Sequence, residues 1–187
     1  MERIPRAVVL TELMARLRAQ GSWCGEGHLQ PAVYFLQELF GVPCGFAYVL
    51  YFYSPYSFDL AEELEFLRAC FLVEFDHHSP GFGPAIVPTA ASAELRGRFP
   101  KTLARYGPAL EFVVAAFNSR EVAELVRLAT ALYVTRQLGE HADAYTRSAR
   151  LRELNPHANP ADALAAVEEV DRIAAQARSL TAETAHA

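Results

Sequence analysis

The chain has 187 residues, 52% of them apolar and 21% charged, with a formal charge of −5. That balance excludes a solvated disordered polymer, suits one ordinary domain or a small domain with a helical extension, and disfavours non-specific nucleic-acid binding, which draws most of its affinity from phosphate neutralisation. The longest apolar run, Phe46 to Tyr53, is less than half a membrane span, Val8-Val9-Leu10 meets Thr11 and Glu12 too soon for a signal-peptide core, and Cys24, Cys44 and Cys70 make no disulfide framework.

A first helix is predicted from about Arg6 to Ala19, with Leu10, Leu13, Met14 and Leu17 on one face and Gly21 as its stop. A second begins near His28, with Leu29, Val33, Leu36 and Phe40 inward and Pro31 placed in its first turn. Tyr48 to Tyr53 reads as one strand buried on much of both faces, and Ser54 to Ser57 as a tight connection. Ser57 is the expected N-cap of a third helix striped by Leu60, Leu64 and Leu67. Phe71 to Phe75 and Pro84 to Val87 follow as short strands, joined by a hairpin from His77 to Gly83.

The remainder is predicted helical. Thr89 caps a short helix near Ala91 to Arg98, and another follows Pro100. Ser119 is the expected cap of a long helix carrying Val122, Leu125, Val126, Ala129, Leu132 and Tyr133, ended by Gly139. A helix near Ala142 to Leu154 precedes a last one opened by Asn159-Pro160, with Leu164, Val167, Val170 and Ala174 inward. The fold class is therefore mainly α with a small β component. A winged-helix-like domain is expected over 1–88, a helical C-terminal region over 89–178, and a disordered tail over 179–187.

Two segments carry a family resemblance: His28-Leu29-Gln30-Pro31-Ala32-Val33-Tyr34-Phe35-Leu36-Gln37, and Tyr51-Phe52-Tyr53-Ser54-Pro55-Tyr56-Ser57. They resemble the YwgA-like family of prokaryotic proteins, with its Lys-Leu-Gln-Lys helix and a strand ending in Tyr-Gly-Pro-Tyr-Ser. Arg152 to His157 is similar to that family's Lys-Pro segment. Both lysines of the first motif are replaced here, by His28 and Pro31, and Ser54 stands where the family has Gly. More remotely, the front half is similar to the Panacea domain of antitoxins and a proteolytic adaptor. The resemblance implies a winged-helix-type fold and no agreed catalytic residues.

No catalytic, metal or cofactor constellation is expected. Cys24 and His28 lack a second Cys/His pair at zinc spacing, Ser54 and Ser57 lack nucleophile-elbow glycines, and Glu62, Glu63 and Glu65 read as a solvated helix face. Asp59 and these glutamates, against Arg68 alone, also make the third helix a poor reader of DNA. Arg96, Arg98, Lys101 and Arg105 form a local basic set, either a solvated helical surface or a docking face for an acidic protein or phosphate backbone. Tyr53, Pro55, Tyr56 and Ser57 belong either to a sheet core or, if exposed, to an interaction surface.

Apolar residues around Val122, Leu125, Leu128, Leu132 and Tyr133 suggest a helix covered on several sides, either by a second copy in a homodimer or, in a monomer, by the winged unit and the final helix between which it lies. The functional expectation is a cytoplasmic, non-catalytic regulatory or protein-interaction module of adaptor or antitoxin type, with a protein partner. The alternative is a DNA-binding transcriptional regulator using the basic set and the wing, and a hydrolase is third.

Overall fold

The computed structural model describes residues 1–77, 83–118, 120–139 and 141–185. Among these it has eight helices and two separate two-stranded antiparallel sheets, so the chain is mainly helical with a small β component. The order is α1 (Arg3–Ala19), α2 (Glu26–Phe40), β1 (Val49–Tyr51), β2 (Ser54–Tyr56), α3 (Phe58–Ala69), β3 (Val73–Asp76) and β4 (Ala85–Pro88). Then come α4 (Ala90–Gly97), α5 (Pro100–Phe117), α6 (Val122–Leu138), α7 (Ala144–Leu154) and α8 (Pro160–Ala185). No described helix is long and apolar enough to cross a membrane.

One hydrophobic core runs through the chain, from Ala7 on α1 to Ile173 on α8, so residues before and after position 88 share it. Helix α1 packs on α5, while α2 packs on α5, α6 and α8. Phe35 of α2 meets Phe117 of α5 edge-on, with ring centroids 4.9 Å apart.

Local chemistry explains most boundaries. Ser57 Oγ accepts from the Leu60 amide, Thr89 Oγ1 from that of Ser92, and Asn159 Oδ1 from that of Asp162, each satisfying a free donor in a helix's first turn. Gly21, at φ 87°, closes α1 while the amides of Gly21 and Ser22 return to Arg18 and Leu17.

Other local expectations are corrected. Pro31 lies in the sixth position of α2, which starts at Glu26, so the Gly27 carbonyl loses its usual helical partner. Phe71 is not in a strand. It ends α3 in the left-handed region at φ 58°, with its amide bonded to Arg68 and that of Leu72 to Leu67, and the strand starts at Val73. Helix α8 is described as far as Ala185, and Ser179 and Thr181 turn their hydroxyls onto carbonyls of its preceding turn. The cap expected at Ser119 and the hairpin tip expected at 78–82 lie outside the described residues.

Candidate functional site

The segment read as one strand, Tyr48 to Tyr53, reverses direction instead. Tyr51 pairs with Ser54, which leaves Phe52 and Tyr53 as a two-residue turn at φ 42° and 69°. Positive φ at both positions is the backbone of a type I′ turn, usually occupied by Asn and Gly; a residue with a side chain costs roughly 1–2 kcal/mol there. Local propensity favours a strand, and contacts distant in sequence override it.

Those contacts hold both feet and the tip of the hairpin. Gln37 Nε2 donates to the Phe46 carbonyl at 2.9 Å, and the Phe46 amide donates to Gln37 Oε1 at 3.0 Å. Gln30 does the same to Ser57: its Nε2 donates to the carbonyl at 2.9 Å, and its Oε1 accepts from the amide at 2.9 Å. The two glutamines are seven residues apart on α2, two turns along one face, and each serves one backbone unit as a strand partner would. At the tip, Thr130 Oγ1 of α6 donates to the Tyr53 carbonyl at 2.6 Å. The segments His28 to Gln37 and Tyr51 to Ser57 thus meet here, Gln30 of one holding Ser57 of the other. Sequence reasoning missed the glutamines; their heptad spacing opposite a turn-bounded aromatic run was the available signal.

So held, the hairpin presents aromatic rings to solvent. Phe52 is 76% exposed, Phe58 51%, Tyr51 44% and Tyr53 41%. The Tyr51 ring lies 4.5 Å from Phe52, 5.4 Å from Tyr56 and 5.2 Å from Phe58, centroid to centroid. Tyr53 stands edge-on to His157 at 5.1 Å. Tyr56 donates its hydroxyl to Glu26 Oε1 at 2.6 Å; burial first, and this carboxylate second, raise its pKa well above the ordinary phenol range. Pro55 and Ser57 are buried beneath, so of the four residues singled out in sequence two carry surface and two carry structure.

The basic set is only partly a surface. Arg96 folds back onto α1, pairing with Glu12 at 3.1 Å and donating to Ser92 Oγ at 3.0 Å, while Arg98, Lys101 and Arg105 stay exposed. Glu63 is not on a solvated face either. It is 3% exposed and receives Arg6 at 3.0 Å and Arg3 at 3.3 Å, tying α3 to α1. The helix singled out for dimerisation is α6, and its Leu125, Leu128 and Leu132 are covered by α2, α7, α8 and β2 of the same chain. Val122 is exposed and Tyr133 half-buried, so α6 leaves no broad apolar stripe for a second copy.

Among the described residues no group of three or more His, Cys, Asp or Glu is placed to hold a metal ion. Cys24 faces the Met14 carbonyl, and burial pushes its thiol up to about 12, which keeps it protonated.

Beside the hairpin a groove of about 940 Å³ opens between the N-termini of α2 and α6, α3 and the β3–β4 hairpin. Half-buried His28 lines it, and burial lowers its pKa from the usual 6.5. The unfolded chain therefore takes up this proton at higher pH than the folded one, so the His28 contribution is complete above about pH 6.5 and is lost as pH falls through the lower folded value. Urea midpoints measured from neutrality to just above the carboxylate range are expected to fall for the native chain and to fall less for His28→Gln. An unchanged slope would contradict this.

No protein-family model matches the chain, and no curated protein matches it.

Proposed function

We propose that the protein is a non-catalytic regulatory or interaction module of adaptor or antitoxin type, which docks a protein partner on the aromatic hairpin. The observation that carries this is the pairing of strain with exposure. Two left-handed non-glycine residues and two glutamine clamps serve to hold rings out in water, and tyrosine and phenylalanine on a rigid support suit the energetic centre of an interface. In this reading the N-terminal part is winged-helix-like, as the YwgA-like resemblance implies, with β3–β4 at the wing position, and the protein works in the cytoplasm.

Capture of DNA by α3 is disfavoured, because Asp59, Glu62 and Glu65 are its exposed charges against Arg68. A photo-crosslinking amino acid at position 52 is expected to join one protein in native lysate, and the same group at exposed position 94 is not. No adduct at position 52, together with a salt-steep DNA gel shift weakened by Arg98→Ala and Lys101→Ala, would replace this reading with the transcriptional regulator.

A further inference from the structure

The groove continues the hairpin surface, because Glu26 on its rim is the acceptor of the Tyr56 hydroxyl. Its floor is apolar, with Leu64 and Ile86 buried, and half-buried Trp23 forms a wall, its indole N–H donating to the Gly83 carbonyl at 3.0 Å. Glu26, Glu65 and Glu121 stand exposed around it.

The cations nearby are already engaged. Arg120 lies between Glu124 and Glu169, and Arg68 pairs with Glu65 at 2.8 Å. His28 is neutral at neutral pH, because its burial lowers its pKa. Among the described residues no ion pair engages Glu26 or Glu121. The N-termini of α2 and α6 contribute about half a positive charge each beside these two carboxylates, which offsets their field without reversing it.

We propose that this groove binds a basic, apolar segment of the docked partner, its aliphatic side chains on Leu64 and Ile86 and its arginine or lysine heads at Glu26 and Glu121. This rests on the docking reading above and adds the chemistry of the partner. An acidic segment would bring its carboxylates against three others, and an uncharged one would gain nothing from the unpaired charges of Glu26 and Glu121.

Trp23 is the chain's single tryptophan and lines the groove, so its emission carries a signal from there. A short arginine–leucine peptide is expected to shift that emission in a saturable titration of the full chain, and a glutamate–leucine peptide of equal length is not. Glu26→Gln with Glu121→Gln should weaken the arginine peptide roughly tenfold, while the glutamine still accepts the Tyr56 hydroxyl. Glu94→Gln with Glu168→Gln, which neutralises exposed acids away from the groove, should leave binding unchanged. Equal responses to both peptides, or equal weakening by both double variants, would overturn the proposal. Phe52→Ser keeps the readings separable, since it removes the hairpin ring and leaves the groove whole. An intact Trp23 response beside a failed crosslink at position 52 overturns docking through the hairpin and retains the groove; a crosslink without a Trp23 response overturns the groove alone.

Discussion

Leu132→Glu is expected to unfold the chain rather than to dissociate an assembly. Leu132 is 1% exposed at the centre of α6, and that helix is enclosed by α2, α7, α8 and β2 of its own chain. A glutamate there must lose its hydration, stay neutral or drag water into the core, at a cost of about 5 kcal/mol or more. That approaches the whole stability of an ordinary domain. The native protein should sediment as one species near 20.7 kDa across micromolar concentrations, and the variant should have lost its helical circular dichroism. A folded variant of half the native mass would show that α6 is a subunit interface after all.

Gln30→Ala should cost about 3 kcal/mol, more than its size suggests. The side chain removed is 4% exposed, and the substitution orphans the amide of buried Ser57 and takes one of two donors from its carbonyl, which keeps the Ala61 amide. Each orphaned backbone group costs roughly 1–3 kcal/mol when water cannot reach it. Ser57 also caps α3, so loosening it frays that helix's first turn. Gln37→Ala should cost less, near 1 kcal/mol, because the Phe46 clamp is only partly buried and water can replace the amide. Gln30→Glu is the sharper control, since a carboxylate accepts from the Ser57 amide but faces its carbonyl with no donor. Urea midpoints at constant slope decide this, and equal losses for both alanine variants would refute the ranking.

The same clamp marks where sequence reading stops. Helix positions, apolar stripes and the caps at Ser57, Thr89 and Asn159 were legible because periodicity and capping act within one or two turns of chain. Phe52 and Tyr53 were misread as strand for that very reason: aromatic propensity is local, and the forces that bend them to positive φ come from Gln30, Gln37 and Thr130. Arg96 and Glu63 were misplaced likewise, and α6 was left between two kinds of cover. Whether Arg96 meets solvent or Glu12, whether Glu63 meets water or Arg6, and whether Leu132 meets a second subunit or α8 depends on chain that lies tens of residues away. The sequence by itself determined a mainly helical chain and which residues were apolar or charged. Tertiary packing alone decided which charges were neutralised inside and which rings remained in water, because each such outcome is a competition between hydration and partners that local sequence does not name.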